Sequence, residues 1–527
     1  MKKILRNFLL LLFVISFAPQ QKVTAQNNVQ VTWGPELKSD SRREAMLGTD
    51  IIGENATSFY TLTTQPATLF SDGHIFFEEF SKSDMTLVRK QEILMPKTDG
   101  KREEFGTLLY VKGKMILFTS YYNSDQKKNY DFVQSVNNDG TVNPDAKKID
   151  EIEVTKSGLF GTNKGSFSTI LSTDSSKILV YRSETYKKNE THQFHCKVLD
   201  LNLNEIWSKE LELPYKDKNF SVSDYTLDNN GDVYMLAKIE LEKDQHQKGD
   251  PNYKYEILYY NHTADALKEY DLSIGQKYIT SVAFKLNTTG DLVCAGFYSN
   301  KNSYSVAGSF YLKIDEKTKN VVNTGFKEFD KDILAKFMSV RKVNKGNEIN
   351  DMKVDEILFH DDGTAYMISE QYWVAMITTY DPQTHSSQTT TIYHANNIVV
   401  VNFAADGSIV WAKCIVKTQE SENDFGMYLS YSVQEVGKKL FFMFNDNVKN
   451  LKIPNSDDYK TMSNPRKSVA MLVTMDEKGD EQRNSMFNAK DLEVILRPIL
   501  SLQVSPSAMI IYGDKRKNFK YGRVTFQ

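Results

Sequence analysis

The stretch YTLDNNGDVYMLAKIE, residues 225–240, is typical of a β-hairpin because two apolar runs flank an Asn-Asn-Gly turn. Asn-Gly between such runs is a strong hairpin signal, since glycine adopts a positive φ without steric cost. The chain repeats the pattern as FKLNTTGDLVCAGFYS at 284–299 and ILFHDDGTAYMISEQY at 357–372. Looser copies begin at residues 170 and 431. The sequence is therefore built from repeated hairpins, which indicates a repeat architecture.

A second hairpin type alternates with the first, for example IVVVNFAADGSIVWAKCIV at residues 398–416. The two types together make a unit of four antiparallel strands, as in a propeller blade. Complete units are predicted to begin near Gly48, Glu104, Ser166, Ser221, Tyr278, Met352 and Met427.

The end of the chain supplies one more hairpin and a further strand at 521–526, which leaves a blade without its fourth strand. An open sheet edge is an aggregation hazard, and the strand-like segment 29–37 has no partner of its own. We therefore expect this segment to pair with the last strand and close the ring. The sequence predicts an all-β fold, a β-propeller of four-stranded antiparallel blades, with eight blades favoured and seven as the alternative.

The first residues indicate export. Lys2, Lys3 and Arg6 precede an apolar run at 8–18, and small residues lead up to Ala25. This is the pattern of a signal peptide at 1–25, which leaves a single propeller domain at 26–527. A membrane anchor is the alternative, but the apolar run is too short to span a bilayer comfortably.

The net charge and the hydropathy of the chain restrict the classes of partner and the compartment that can be expected. Removal of residues 1–25 takes away four basic residues and no acidic one, so the formal charge falls from −3 to −7. An acidic chain is a poor candidate for nucleic acid, and no later segment predicts membrane insertion after cleavage. The chain stops soon after its last predicted strand, which favours the periplasm, with secretion or the cell surface as alternatives.

The two ends of the predicted blades differ. One end carries tight turns such as Asn230-Gly231 and Asp406-Gly407, whereas the other carries long connections at 183–193, 242–254, 377–397 and 445–467. Long loops on a rigid scaffold commonly carry binding sites. We therefore expect the long-connection end to bind a partner, although insertions without a ligand are the alternative.

Catalytic and metal signatures are missing from the sequence. His192 and His195 would point to opposite faces of one strand, and DNNGD at 228–232 lacks the spacing of a calcium loop. The cysteines Cys196, Cys294 and Cys414 lie about a hundred residues apart in apolar runs and are interpreted as core residues. We predict no metal site and no cofactor, and we assign no catalytic residue.

Trp411 follows a turn in the stretch ADGSIVWAKCI at residues 405–415, and Trp207 follows a turn in LNLNEIWSKEL at residues 201–211. These stretches resemble those of quinoprotein-like eight-bladed propellers, a group that includes quinone-dependent dehydrogenases and outer-membrane assembly scaffolds. The vicinal cysteine pair of the dehydrogenases is absent here. Residues 31–62 and 397–419 also look like those of uncharacterised exported propeller proteins of Gram-negative bacteria. This resemblance implies fold and compartment but no reaction.

The function predicted from the sequence is that of an exported, non-catalytic binding or scaffold protein. Its partner would be an envelope or extracellular protein or a glycan, because aromatic side chains supply stacking and anchoring area. The alternatives are a propeller enzyme acting on glycans, a quinone-dependent oxidoreductase, and a purely structural envelope protein. The ligand-binding residues predicted in the sixth unit are Tyr372, Trp373, Tyr380, His385, Tyr393 and His394.

Overall fold

The computed structural model describes residues 22–25, 29–39, 49–65, 73–157, 161–183, 189–246, 251–272, 274–301 and 303–526. Most of the predicted signal peptide lies outside the described residues, so the cleavage site remains a prediction.

Sheets of four antiparallel strands dominate the first half of the chain. Three strands precede them, namely β1 (Lys22–Ala25), β2 (Val29–Trp33) and β3 (Leu37–Lys38). Sheet 1 consists of β4 (Thr49–Glu54), β5 (Ser58–Gln65), β6 (His74–Ser81) and β7 (Leu87–Glu92), and the small pair β8 (Lys97–Thr98) and β9 (Lys101–Arg102) follows it. Sheet 2 consists of β10 (Glu104–Val111), β11 (Lys114–Asn123), β12 (Lys128–Val136) and β13 (Lys147–Glu153), followed by the pair β14 (Thr155–Ser157) and β15 (Gly161–Asn163).

Three further sheets continue this pattern. Sheet 3 consists of β16 (Ser166–Leu171), β17 (Lys177–Ser183), β18 (Thr191–Asp200) and β19 (Glu205–Lys216). Sheet 4 consists of β20 (Phe220–Leu227), β21 (Val233–Glu240), β22 (Tyr253–Asn261) and β23 (Ala266–Asp271). Sheet 5 is formed by β24 (Tyr278–Leu286), β25 (Leu292–Ser299), β27 (Gly308–Ile314) and β28 (Val321–Glu328), and beside it β26 (Ser305–Val306) pairs with β29 (Ile349–Asn350).

The remaining sheets follow two short helices, α1 (Lys331–Ala335) and α2 (Val340–Asn344). Sheet 6 consists of β30 (Met352–Phe359), β31 (Ala365–Asp381), β32 (Ser386–Phe403) and β33 (Ile409–Ile415), and β34 (Gln419–Glu422) pairs with β32. Sheet 7 consists of β35 (Ser432–Val436), β36 (Lys439–Asn447), β37 (Ser468–Met475) and β38 (Glu481–Asn488), followed by α3 (Ala489–Leu492). Sheet 8 contains β39 (Ile495–Leu496), β40 (Leu502–Ser505), β41 (Ala508–Lys515) and β42 (Asn518–Phe526) together with β1, β2 and β3. Single 3₁₀ turns occur at Asp217–Asn219, Val448–Lys452, Ser456–Asp458 and Pro465–Lys467.

The N-terminal strand pairs with the C-terminal strand. Val29 lies opposite Phe526 and Trp33 opposite Gly522, in antiparallel register. Val31 and Val524, which face each other in this ladder, are both fully buried. The predicted partner of the last strand is therefore present, and β42 is not an open edge.

Apolar clusters lie between consecutive sheets. Each of sheets 1 to 7 is joined to the next along the chain by one cluster, as in the cluster of sheets 4 and 5 that contains Tyr234 and Phe310. One further cluster joins sheet 8 to sheet 1 through Tyr521, Phe59 and Phe80. Sheets buried on both faces explain why these strands are apolar throughout rather than alternating. This packing of four-stranded sheets is that of a β-propeller.

Two tryptophans of the second hairpin type form hydrogen bonds between neighbouring sheets. The Trp207 indole donates a hydrogen bond to the Gly231 carbonyl oxygen at 3.0 Å, and Trp411 donates to Glu477 at 2.9 Å. Each bond runs from the last strand of one sheet to a tight turn of the next sheet. These two tryptophans pack between blades, as expected for aromatic residues with a polar edge.

The outermost strands are protected edges. Among the described sheets, β7, β13, β19, β28, β33 and β38 each carry a one-residue bulge against their neighbour. Charged residues accompany the bulges, for example Lys209 and Glu210 in β19. Bulges and charges both discourage edge-to-edge pairing between sheets.

The predicted unit boundaries agree closely with the first strands of the sheets, with one exception. The seventh unit was placed near Met427, whereas β35 begins at Ser432. The residues in between belong to a connection that first forms β34 along the side of β32. The prediction was wrong there because this connection contains a strand of its own.

Candidate functional site

Strands β31 and β32 continue far beyond the sheet they belong to. Their pairing runs from Tyr372 opposite Ala395 to Asp381 opposite Ser386, and a short turn joins them. We call residues 372–395 the arm. The connection predicted as a loop at 377–397 is therefore a two-stranded ribbon that projects from the long-connection end of sheet 6. Its β-branched threonines and isoleucines suit a strand, whereas its polar composition suggested a loop.

The arm has two different faces, because residues that lie opposite each other in an antiparallel pair share a face. The tyrosine face carries Tyr372, Val374, Met376 and Tyr380 on β31, with Tyr393 opposite Val374. The tryptophan face carries Trp373, Ile377 and His394. Both faces present apolar side chains beyond the body of the protein.

The structure distributes the six predicted residues over the whole arm. The rings of Trp373 and His394 stack with centroids 4.3 Å apart and an interplanar angle of 12°. The Tyr380 hydroxyl lies 3.0 Å from Nδ1 of His385 at the tip. Tyr372 and Tyr393 lie near the root of the tyrosine face. The six residues thus form two local contacts and part of one surface, and not a single pocket.

Several exposed residues of the arm were missed by the sequence prediction. Met376 is 74% exposed, and Val374 and Ile377 are also exposed. Phe425, in the connection beside Tyr393, is 72% exposed. The available signal was the continuous apolar run VAMI at residues 374–377, which is compatible with a strand that has apolar side chains on both faces.

A buried ion pair anchors the root of the arm. The Lys417 ammonium lies 2.6 Å from Oε1 of Glu370, and both side chains are inaccessible to solvent. Lys417 also donates to the Ala395 carbonyl oxygen at 2.8 Å and to Oε1 of Gln419 at 2.9 Å. Burial lowers the pKa of Lys417, while the Glu370 carboxylate opposes this shift. Two of the ammonium donors are hydrogen bonded and the charge faces the Glu370 carboxylate, so Lys417 ties the arm to the sheet.

The connection that follows β34 covers the lower part of the tyrosine face. The Ser430 hydroxyl donates to Oε2 of Glu370 at 2.8 Å, and its backbone N–H donates to Oε1 of Gln419 at 2.8 Å. Asn423 exchanges two hydrogen bonds with the backbone of Thr391. Asn423, Phe425 and Ser430 all have positive φ. Three such residues within eight positions are costly, so the surrounding contacts impose this conformation.

A separate pocket lies at the same end of the protein, between the connections of sheets 4 and 5. Its volume is about 290 Å³. Leu272 and Ile279 line its apolar part, together with Tyr253 and Tyr255, and the polar lining includes Gln276, Lys254 and Lys277. The Lys277 ammonium is held 4.4 Å from the Tyr298 ring centroid and donates to Asn300 at 2.8 Å.

The histidines and the calcium-like turn have structural partners. Nδ1 of His192 lies 2.7 Å from Asp217, and Nδ1 of His195 lies 2.8 Å from Asp150. Oδ1 of Asp228 accepts the N–H groups of residues 230, 231 and 232, so this turn is an Asx turn. The part of the chain that the structure describes contains no group of three His, Cys, Asp or Glu side chains placed to hold a metal ion.

The fold and the arm together define the class of this protein as a β-propeller with a projecting ribbon. No protein-family model matches the chain, and no curated protein matches it. The WD40 domain of SCAP from fission yeast is similar over 96% of this chain and 98% of its own, at 8% identity and a TM-score of 0.41. The β-propeller domain of the Trilobed protease from Pyrococcus furiosus covers 82% of this chain and 97% of its own, at 11% identity and a TM-score of 0.34.

A Bacteroides caccae protein of unknown function is also similar, over 68% of this chain and 94% of its own, at 10% identity and a TM-score of 0.27. The assignment to the propeller fold rests on the sheets and clusters of this chain. Within the described ranges, no helix combines the length and apolarity needed to cross a membrane.

Proposed function

We propose that the protein is an exported, non-catalytic binding or scaffold propeller that contacts a partner protein through its arm. Its eight sheets would form one closed ring and one domain. The arm is the observation that supports this function best, because it carries exposed apolar side chains away from the body on a ribbon of ten residue pairs.

Exposed apolar side chains on the arm favour a binding role. Single exposed apolar residues are common, but contiguous apolar surface typically marks an interaction site. Tyr372, Val374, Met376 and Tyr380 are all exposed on one face of the arm, and Phe425 is exposed near its root. The buried ion pair of Glu370 and Lys417 fixes the root, so little conformational freedom is lost on binding.

The chemistry of the arm favours a protein partner. Asp381 is the only Asp, Glu, Lys or Arg between residues 372 and 395. A ribbon without lysine or arginine cannot neutralise phosphates, which disfavours nucleic acid. Aromatic and methionine side chains on a rigid element are typical anchors of protein interfaces.

The experiment is removal of the arm above its root. Residues 375–392 are replaced by Asn-Gly, which joins the paired residues Val374 and Tyr393 by a two-residue turn. We expect the capture of partner protein from cell-envelope extract to fall at least tenfold, while the circular dichroism spectrum is unchanged. The control carries alanine at Gln383 and Thr384 in the tip and should capture normally. Unchanged capture by the trimmed protein would refute this function for the arm.

A glycan partner is the second candidate, and the pocket of sheets 4 and 5 favours it. Its volume of about 290 Å³ is at the small end of the usual range for ligand sites, about 300–1,000 Å³. Tyr253 and Tyr255 supply aromatic surface, and Gln276 and Lys277 supply hydrogen-bond donors. Glycan-array binding that is lost in Tyr255→Ala and Lys277→Ala, and retained in the trimmed protein, would support this candidate.

A further inference from the structure

Two connections at the long-connection end of the protein carry an excess of positive charge. Segment 333–347, which leads from sheet 5 to sheet 6, contains four lysine or arginine residues and no acidic residue. Segment 448–467, which joins β36 to β37, contains five lysine or arginine residues and two aspartates. All nine basic residues are exposed. We call them the basic surface, and they are Lys336, Arg341, Lys342, Lys345, Lys449, Lys452, Lys460, Arg466 and Lys467.

The two segments form one surface beside the arm. The Lys336 ammonium lies 2.8 Å from Oδ1 of Asp457 and so joins the first segment to the second. The Lys336 carbonyl oxygen accepts a hydrogen bond from the Asn397 side chain of β32 at 2.9 Å. The Met462 carbonyl oxygen accepts a hydrogen bond from the Glu420 N–H of β34 at 3.0 Å. The basic surface therefore lies along the β32 side of the root of the arm.

The charges of the basic surface are almost entirely uncompensated. Among the residues that the structure describes, Lys336 alone of the nine forms an ion pair, and the side chains of the other eight have no carboxylate or hydrogen-bond partner. By contrast, Lys209 on the outer strand β19 pairs with Asp265. The chain as a whole has a net charge of −3, so positive charge is concentrated at this end. Exposed cations repel one another over about 8 Å at physiological salt, and a bound anion relieves this repulsion.

The partner that fits such a surface carries many negative charges. Guanidinium and ammonium groups form charge-assisted hydrogen bonds with carboxylate and sulfate groups. We propose that the basic surface binds a linear acidic polysaccharide, and the choice of a polysaccharide over nucleic acid rests on the export in the proposed function. This site is separate from the pocket of sheets 4 and 5 and from the apolar faces of the arm.

The arm disfavours an anionic membrane as the partner. Its strands of ten residues rise about 3.4 Å per residue, so it projects about 30 Å from the same end of the protein. A planar bilayer that approaches this end meets the arm before it reaches the basic surface. A single polysaccharide chain can lie beside the arm and contact both segments. The protein partner of the arm and the polysaccharide would then be bound side by side.

The first test is isothermal titration of the purified full chain with polygalacturonate, which carries a carboxylate on each sugar, and with dextran sulfate. We expect binding that weakens as the salt concentration rises, because a polyanion releases counterions when cations neutralise it. The stronger of the two polymers identifies the acidic group, and neutral dextran should not bind. Binding of phosphatidylglycerol vesicles or of duplex DNA, without binding of either acidic polymer, would overturn the proposal.

The second test removes charge from the basic surface. The triple variant Arg341→Gln/Lys342→Gln/Lys345→Gln keeps good helix formers in segment 333–347. We expect its affinity for the acidic polymer to fall at least tenfold and its salt dependence to become shallower, because fewer charges are neutralised on binding. An unchanged melting temperature would show that the variant is folded.

The matched control changes the net charge by the same amount at the opposite end. Lys112→Gln/Lys317→Gln/Lys478→Gln replaces three exposed lysines in tight turns and should bind the polymer normally. Equal losses in the two triple variants would show that net charge controls the affinity, and would refute the assignment to the basic surface.

The trimmed protein separates this inference from the proposed function. It lacks the arm but keeps the basic surface, so it should bind the acidic polymer with unchanged affinity, and so should Tyr255→Ala in the pocket. Polymer binding that is absent in the full chain, with capture of envelope protein intact, would refute the inference and leave the proposed function standing. Lost capture with retained polymer binding is the opposite result, which the inference survives.

Discussion

The ammonium of Lys417 lies 2.6 Å from the carboxylate of Glu370, and neither side chain reaches solvent. Removal of one partner of a buried pair leaves a charge without compensation, which costs about 3–5 kcal/mol. We expect Lys417→Met to lower the free energy of unfolding by about that amount in urea denaturation. The double variant Glu370→Leu/Lys417→Met should recover much of the loss.

The exposed pair of Lys209 and Asp265 provides the control for this prediction. Exposed pairs contribute at most about 1 kcal/mol, so Lys209→Met should change stability little. Equal losses in Lys417→Met and Lys209→Met would show that burial does not control the strength of the first pair.

Trp33 is expected to be essential for the contact between the two ends of the chain. It is buried, and its ring lies 5.2 Å from that of Phe487 in sheet 7. Replacement of a buried tryptophan by alanine typically costs about 3–5 kcal/mol, so Trp33→Ala should lower the melting temperature strongly. Trp373→Ala is the matched control, because Trp373 lies on the projecting arm. A similar loss in both variants would contradict the assignment of Trp33 to a packed junction.

Asp355, on the inner strand β30, should make stability depend on pH. Asp355 is an exposed residue of β30, but the protein atoms around its carboxyl desolvate it and raise its pKa to about 6, and the Tyr431 hydroxyl donates to its carboxylate at 2.8 Å. An unfolded aspartic acid has a pKa of about 3.9, so the folded protein holds an extra proton between about pH 4 and 6. This proton stabilises the fold, and the stabilisation disappears as the pH rises through 6.

The measurement is the melting temperature of Asp355→Asn against that of the natural chain from pH 4 to 7. Asparagine at position 355 cannot ionise, so only the natural chain loses stability as the pH rises. The melting temperature of the variant minus that of the natural chain should therefore increase from pH 4 to 7. Parallel curves for Asp355→Asn would show that this carboxyl does not titrate in the predicted range.

The cysteines should be almost inert in the folded protein. Cys196 and Cys294 are fully buried and Cys414 is partly buried, and burial raises the pKa of all three thiols. Since the thiolate is the reactive form, a thiol reagent at pH 8 should modify at most Cys414 before denaturation and all three after it. Rapid modification of three thiols in the native protein would refute this burial.

The sequence predicted the turns correctly where a single residue determines the backbone conformation. Glycine at Gly231 and Gly363 marks turns that need positive φ, and both turns are present at the predicted places. The pairing of Val29–Trp33 with the last strand followed instead by elimination, because segment 29–37 had no other partner in the sequence.

The arm did not follow from such an argument. Its residues are rich in threonine, serine and glutamine, and a polar run between two apolar strands is typical of a loop. What makes it a ribbon is pairing between Thr378 and Thr389, whose hydroxyl oxygens lie 2.9 Å apart, and support from β34 at its root. Contacts of this kind depend on the register of two strands and on a third segment, which periodicity alone does not report.

The amide of Asn518 donates to the carboxylate of Glu36 at 2.9 Å across 482 positions of the chain. The strand at Val29–Trp33 therefore remains without its partner until residues 518–526 have been synthesised. Contacts with such a sequence separation form late and make folding slow. Until then, a nascent chain exposes an unpaired strand edge at each end of its growing row of sheets. A chaperone that shields these edges would have to remain bound until residues 518–526 emerge.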